Sequence, residues 1–229
     1  MSTPRRWFLG WLGAGGAFAA AGAPIPHLAA ASRRSEVDAD ALVPVSATWN
    51  MAWVDGIKGK YRAVFDSPEV SEGAGLFRAC LWRDQHKEVY GTAREEMSPV
   101  LVIRHAAIPL AMNDAYWARF SVGKDVKLKD MATKKWYTTN PIRVSAAGTP
   151  APWSDYNLES FMAQGGTVLA CNLAFRQVVS QFRRADKLDR AAAEERAKEH
   201  LIPGIVLQPS GIFAVLRAQE LGCAYIMAS

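Results

Sequence analysis

The stretch that decides the fold runs from Gly165 to Phe175 and reads GGTVLACNLAF. Two glycines, typical of a turn, precede an apolar run from Thr167 to Ala170 whose length suits one buried β-strand. After Cys171 the apolar residues recur at i, i+3, i+4 and i+7, the spacing of one helix face; these are Phe175, Val178, Val179 and Phe182. The sequence therefore predicts a strand that leads through Cys171 directly into a helix.

Strand, turn and helix signals alternate four times along the chain, and this predicts an α/β fold with a layered parallel sheet and helices on both faces. A turn is expected at Asp66 to Pro68, and the charged run from Arg183 to His200 is expected to be a solvated helix or helix extension. The other predicted strands are Tyr61 to Phe65, Val100 to Ile103, Ile205 to Leu207 and Ala224 to Met227, and the other helices lie around Leu76 to Leu81, after the second strand, and near Ile212 to Leu221.

The first 31 residues are typical of a twin-arginine export signal. Arg5 and Arg6 precede a weakly apolar run rich in Gly and Ala, and Ala29 to Ala31 fits the A-x-A cleavage pattern. A membrane anchor is the alternative, although the apolar part is shorter than the roughly 20 residues that a span needs. We expect export of the folded chain by the twin-arginine translocase, cleavage after Ala31 and a periplasmic mature protein.

Composition predicts one globular domain after this signal. The chain of 229 residues is 50% hydrophobic and 21% charged. Residues 32–57 are predicted to be a linker or lead-in, and residues 58–229 to form the α/β domain. Within that domain, residues 121–164, rich in Lys and Pro, are predicted to be an insertion, because a loop of this length is usually functional or has a structure of its own. Four of the 27 Lys and Arg residues lie in the first 34, which leaves 23 against 22 acidic residues. This balance gives little support to nucleic-acid binding.

Ligands of open parallel sheets bind at the carboxyl ends of the strands, so residues just past each strand are the candidates for a site. Cys171 is the candidate nucleophile, because the N–H groups of a helix that begins near Asn172 would favour its thiolate. His105 is a candidate proton donor or acceptor. A small, buried and structural Cys171 is the alternative. The candidate ligand-binding residues are Ser67, Asn172, Ser210 and Gly211.

The three cysteines are too few for a disulfide-built scaffold. Cys80 lies on an apolar helical stripe and Cys223 precedes the last strand, so both are expected in the core, and a Cys80–Cys223 disulfide remains open. The chain carries no H-E-x-x-H, C-x-x-C, Walker or G-x-S-x-G motif. We therefore predict no metal site and no cofactor, although export of a folded chain leaves a loaded cofactor as a further possibility.

Two stretches resemble the DsrE/DsrF-like family of sulfur-relay proteins. GGTVLACNLAF is similar to that family's G-x-x-V-x-x-C strand-to-turn segment, and LIPGIVLQPSGIFAVLRAQELGCAYI, residues 201–226, is similar to its terminal P-G-strand-P-S-G-helix-G-x-A-Y-I block. KYRAVFDSPEV and PVLVIRHAAIPLA look like its first two strands. The resemblance covers most of residues 58–229 and is most specific in the C-terminal part.

The resemblance implies a flavodoxin-like fold, a homo-oligomer and a cysteine that accepts sulfur as a persulfide and passes it on. Cys171 lies where that cysteine would lie. The function predicted is an exported protein that handles or relays sulfur between a donor and an acceptor, each a protein or a small molecule, which would make it a sulfurtransferase or persulfide carrier. The alternative is a non-catalytic module for small-ligand binding or assembly, in which Cys171 is structural.

Overall fold

The structure, a computed structural model, describes residues 49–130 and 132–229. The predicted export signal, its cleavage site and residues 32–48 of the predicted lead-in lie outside the described residues. Among the described helices, none is both long and apolar enough to cross a bilayer.

Five parallel strands form one sheet in the order β4-β3-β2-β1-β5. This confirms the predicted α/β fold with a parallel sheet. The expected turn at Asp66 and Ser67 is wrong, because both residues continue β1 and pair with Val102 and Ile103 of β2. The strands are β1 Tyr61–Ser67, β2 Met97–Ile103, β3 Thr167–Cys171, β4 Val206–Gln208 and β5 Ala224–Met227.

Helices connect the strands at the predicted places. The charged run is helical in two pieces: Lys187 adopts the left-handed conformation at the end of the first piece, and the Asp189 side chain caps the second by accepting from the Ala192 amide at 2.9 Å. The segment after β2, His105–Ala111, is a 3₁₀ helix. The α-helices are α1 Ala74–Tyr90, α2 Asp114–Arg119, α3 Val122–Asp125, α4 Leu158–Ala163, α5 Asn172–Asp186, α6 Arg190–Lys198 and α7 Gly211–Glu220.

The sheet separates two apolar cores because successive strand residues point to opposite faces. Phe65 and Leu101 pack on the face that holds α1, α4 and α5, whereas Val64 and Val100 pack on the face that holds α7. Helices therefore lie on both faces, as predicted. Trp53 and Ile57, from the stretch assigned to the lead-in, are buried in the α7 core.

Cys80 and Cys223 are buried in different cores, on opposite faces of the sheet, so the disulfide that the sequence left open does not form. Burial raises the pKa of the Cys80 thiol to about 12 and also raises the pKa of Cys223.

The predicted insertion, residues 121–164, packs against the part of the β2–β3 connection that precedes it. Asn140 within it is buried, and its amide donates to the carbonyls of Leu110 and Met112 at 2.8 Å each. Arg143 donates to Asp114 of α2, which precedes the insertion, and to Glu159 of α4, which lies within it. These contacts give the predicted insertion a defined structure.

Candidate site at the carboxyl edge of the sheet

The direction of strand addition changes at β1, which has β2 on one side and β5 on the other. Such a switch point opens a crevice at the carboxyl ends of the strands, where open α/β sheets bind ligands. A cavity of about 160 Å³ lies there, lined by Asp66, Arg104 and Tyr225 together with apolar residues of α7. The strand order therefore places a candidate site between β1 and β5.

A buried carboxylate holds this site together. The Arg104 guanidinium donates from Nε to Oδ1 of Asp66 at 2.7 Å and from Nη2 to Oδ2 at 2.9 Å, which is a bidentate pair. The Tyr225 hydroxyl donates to Oδ2 of Asp66 at 2.9 Å. The hydrogen bond to Asp66 is the main cause that raises the pKa of Arg104, and burial is the main cause that raises the pKa of Tyr225. Arg104 is consequently a fixed, partly exposed cation at the edge.

The start of α7 is shaped to fit Arg104. A Cβ atom at Gly211 would lie 2.5 Å from the Cβ of Arg104, so the arginine stem crosses the first turn of the helix where a glycine leaves room. Ser210 is the N-cap, and its Oγ accepts a hydrogen bond from the Phe213 amide at 3.0 Å. The structure therefore places the predicted residues Ser210 and Gly211 at the edge, as a helix cap and as a contact of Arg104.

Cys171 is the last residue of β3 and stands at the N-cap position of α5, so the first amides of that helix follow it directly, beginning with Asn172. Its residue surface is 6% exposed. Ile103 of β2 pairs with Ala170 of β3, so Arg104, just after β2, is beside Cys171 at the end of β3. Cys171 thus stands at a helix N-terminus, with Arg104 in the neighbouring position at the sheet edge.

Two of the predicted residues occupy other positions at the edge. Ser67 is buried on the opposite face from Asp66, and its hydroxyl donates to the Glu69 carbonyl at 3.3 Å. His105 follows β2 in the left-handed conformation, with φ of 51°, and its exposed ring places Nδ1 3.6 Å from Oε1 of Glu69. Neither side chain lines the small cavity within the described part of the chain.

The sequence predicts a turn at Asp66 but neither its pairing with Arg104 nor the role of Tyr225. A buried acid at the end of one strand and a cation just after the next would have been the signal, since neighbouring parallel strands end at the same edge. Tyr225 had no comparable signal, because its role depends on β5 lying beside β1. The register of the sheet, absent from local sequence, creates this network.

No group of three or more His, Cys, Asp or Glu side chains suited to a metal ion occurs in residues 49–130 or 132–229.

No protein-family model and no curated protein sequence matches this chain. Among solved structures it is similar to a protein of unknown function, MTH1491 from Methanobacterium thermoautotrophicum, with 16% identity and a TM-score of 0.39 over 73% of this chain and 98% of that one. A likeness of this degree carries no argument about function. The assignment of an α/β fold rests on the strand order and pairing described above.

Proposed function

We propose that this chain is an exported DsrE-like protein that carries sulfur as a persulfide on Cys171. The observation that supports the proposal best is the position of Cys171 at the junction of β3 and α5, with Arg104 in the neighbouring position just after β2. Helix N-termini and nearby cations favour the thiolate, which is the reactive form of cysteine.

The proposed step needs no external oxidant. The Cys171 thiolate attacks the terminal sulfur of a donor persulfide, R–S–SH, a new S–S bond forms at Cys171, and the donor's own S–S bond breaks. The donor leaves as a thiolate and takes up a proton. An acceptor thiolate then attacks the outer sulfur on Cys171 and regenerates the free thiolate, so each sulfur atom moves without net oxidation or reduction.

Arg104 would stabilise the anionic forms of Cys171 in this cycle, and Asp66 would hold the guanidinium in place. A persulfide is an anion at neutral pH, and a fixed cation lowers the free energy of an anion close by. His105 is exposed and would exchange protons with the leaving donor. The first amides of α5, with Asn172, and the small cavity would receive the donor's or acceptor's polar groups.

The test is intact-mass spectrometry of the protein after incubation with glutathione persulfide. Wild-type protein is expected to gain one sulfur atom, and Cys171→Ala is expected to gain none. Cys80→Ala is the matched control and should gain sulfur like the wild type, because burial raises the pKa of Cys80 to about 12 and keeps it protonated. An unmodified wild type, or equal gain in Cys171→Ala, would contradict the proposal.

The same measurement on protein from the native host's periplasmic fraction tests the proposed export. Cleavage after Ala31 by way of the twin-arginine route would give a chain that begins at Ser32. Lysines in place of Arg5 and Arg6 should leave the uncleaved chain in the cytoplasm, because the pair is the feature that defines the route.

A second candidate function is supported by the low exposure of Cys171 and by the small cavity, which Asp66 and Arg104 line. In that case the protein binds a small anionic ligand at the switch point and Cys171 fills space. Ligand binding would then persist in Cys171→Ser and be lost in Arg104→Met, which separates this function from sulfur transfer.

A further inference from the structure

A second and larger cavity, of about 730 Å³, lies at the opposite end of the sheet, where β2 begins. Its walls come from the last turns of α1, from the residues between α1 and β2, and from the connection that precedes β3. Cavities of roughly 300–1,000 Å³ are the usual size of small-molecule sites. Its described lining residues are separate from the carboxyl edge that holds Cys171, so this cavity is independent of the proposed sulfur chemistry.

Arg83 of α1 lines this cavity and is buried, with 4% of its surface exposed. Its closest acidic contact places Nε 4.0 Å from Oδ1 of Asp84, beyond hydrogen-bond distance. Its Nη1 has no hydrogen-bond partner among the described residues. The guanidinium carbon lies 6.0 Å from the centroid of the Phe161 ring. Arginine is rarely buried without a charged or polar partner, because its desolvation is costly.

The other polar groups around Arg83 define what could satisfy it. Lys87 and Arg94 are exposed cations on the same cavity. Asp84, the nearest acid, already accepts a hydrogen bond from the Tyr156 hydroxyl at 2.8 Å. Gln164 contributes a hydrogen-bond acceptor. Its Oε1 is buried and also lacks a hydrogen-bond partner among the described residues. Arg83 and Gln164, which both line the cavity, therefore leave one buried donor and one buried acceptor without a partner among the described residues.

We propose that this cavity binds a small molecule that joins an oxyanion, carboxylate or phosphate, to a hydrogen-bond donor. The oxyanion meets the guanidinium of Arg83, whose planar donors match such a group, and Lys87 and Arg94 add positive charge beside it. The donor meets Oε1 of Gln164 and the acids Glu88 and Asp155, which also line the cavity. One ligand would thus give a partner both to the guanidinium of Arg83 and to Oε1 of Gln164.

Isothermal titration calorimetry on the full-length protein tests the proposal with sodium phosphate, succinate and phosphoethanolamine. Phosphate and succinate separate the two sources of oxyanion, and phosphoethanolamine adds an ammonium donor to phosphate. We expect saturable binding of phosphoethanolamine, tighter than that of phosphate alone. Arg83→Gln should weaken it about tenfold or more, whereas Arg78→Gln, an exposed arginine on the same helix, should leave it unchanged.

Circular dichroism shows whether Arg83→Gln is folded. If it is not, the double variant Lys87→Gln/Arg94→Gln changes exposed cations of the cavity and should weaken binding about threefold. Absence of saturable binding for all three probes overturns the proposal, and so does equal affinity in wild type and a folded Arg83→Gln. Equal affinity for phosphate and phosphoethanolamine would overturn the assigned role of Gln164.

Discussion

At the scale of single residues, the buried carboxylate of Asp66 organises the carboxyl edge. Taking a carboxylate out of water is costly unless hydrogen bonds and an opposite charge replace the water. Arg104 and Tyr225 supply three hydrogen bonds to Asp66. The same contacts fix the position of the Arg104 guanidinium at the edge of the sheet.

We predict that Arg104→Met lowers the free energy of unfolding by about 3 kcal/mol, because it leaves Asp66 buried without its charge partner. Urea denaturation followed by circular dichroism measures the change. Arg78→Met is the matched control, since it removes the same charge from an exposed position and should change stability by less than about 0.5 kcal/mol. Adding Asp66→Asn to Arg104→Met should recover part of the loss. Equal stability of the two arginine variants would show that Asp66 needs no partner.

The candidate residues with a local signal were predictable, and those that depend on a partner elsewhere in the fold were not. Cys171 and Asn172 stand at a strand-to-helix junction that the apolar pattern reveals. Asp66 and Arg104 are 38 residues apart, and their pairing follows from the register of β1 and β2. Arg83 lies on a helix with other polar residues around it, and nothing in that pattern indicates burial.

At the scale of elements, the N-terminus of α7 depends on two adjacent residues with different structural roles. The Ser210 side chain caps the helix, and Gly211 leaves the space through which the stem of Arg104 passes. The helix start and the position of the arginine are therefore coupled. A side chain at position 211 should therefore displace Arg104 at the candidate site and also lower the stability of the helix.

Gly211→Ala is expected to destabilise the protein by about 1–3 kcal/mol, because its Cβ would overlap the stem of Arg104 and force either to move. The melting temperature measured by calorimetry reports the loss, and persulfide formation on Cys171 should slow along with it. Gly56→Ala is the control, because a Cβ there meets nothing within 4 Å. A melting temperature for Gly211→Ala equal to that of Gly56→Ala would mean that the two elements are not coupled.

Element types were easier to predict than their exact form. The apolar spacing of α5 is clear, and its strand β3 is a continuous apolar run. The segment after β2 has apolar helical character but contains Pro109, which has no N–H to donate, and it forms a 3₁₀ helix. The break at Lys187 gave no local signal, since the surrounding charged run is compatible with one unbroken helix.

At the scale of the whole molecule, the two faces of the sheet are covered unequally. Seven described helical segments contribute to the core on one face: α1 to α6 and the 3₁₀ helix after β2. On the other face, α7 and the buried residues Trp53 and Ile57 form the core. The apolar strands predicted a sheet covered on both sides, but the strand order, and hence this asymmetry, follows from long-range pairing that local patterns do not encode.

The outer surface of α7 is apolar, and this supports the proposed homo-oligomer. Ile212 and Leu216 are 66% and 54% exposed, one helical turn apart, and Phe213 beside them is also exposed. The neighbouring edge strand β5 exposes Tyr225 and Met227. A contiguous apolar surface of this kind is typical of a contact between protein chains.

We predict that the protein self-associates through this surface and that Ile212→Asp/Leu216→Asp converts it to a folded monomer. Aspartates at both positions would have to be desolvated in the contact, at a cost that exceeds the apolar gain. Size-exclusion chromatography with light scattering gives the mass, and circular dichroism verifies the fold. Gln85→Asp adds a negative charge at an exposed position of α1, on the opposite face of the sheet from α7, and should leave the oligomer intact. A monomeric wild type, or a double variant that stays associated, would contradict self-association through α7.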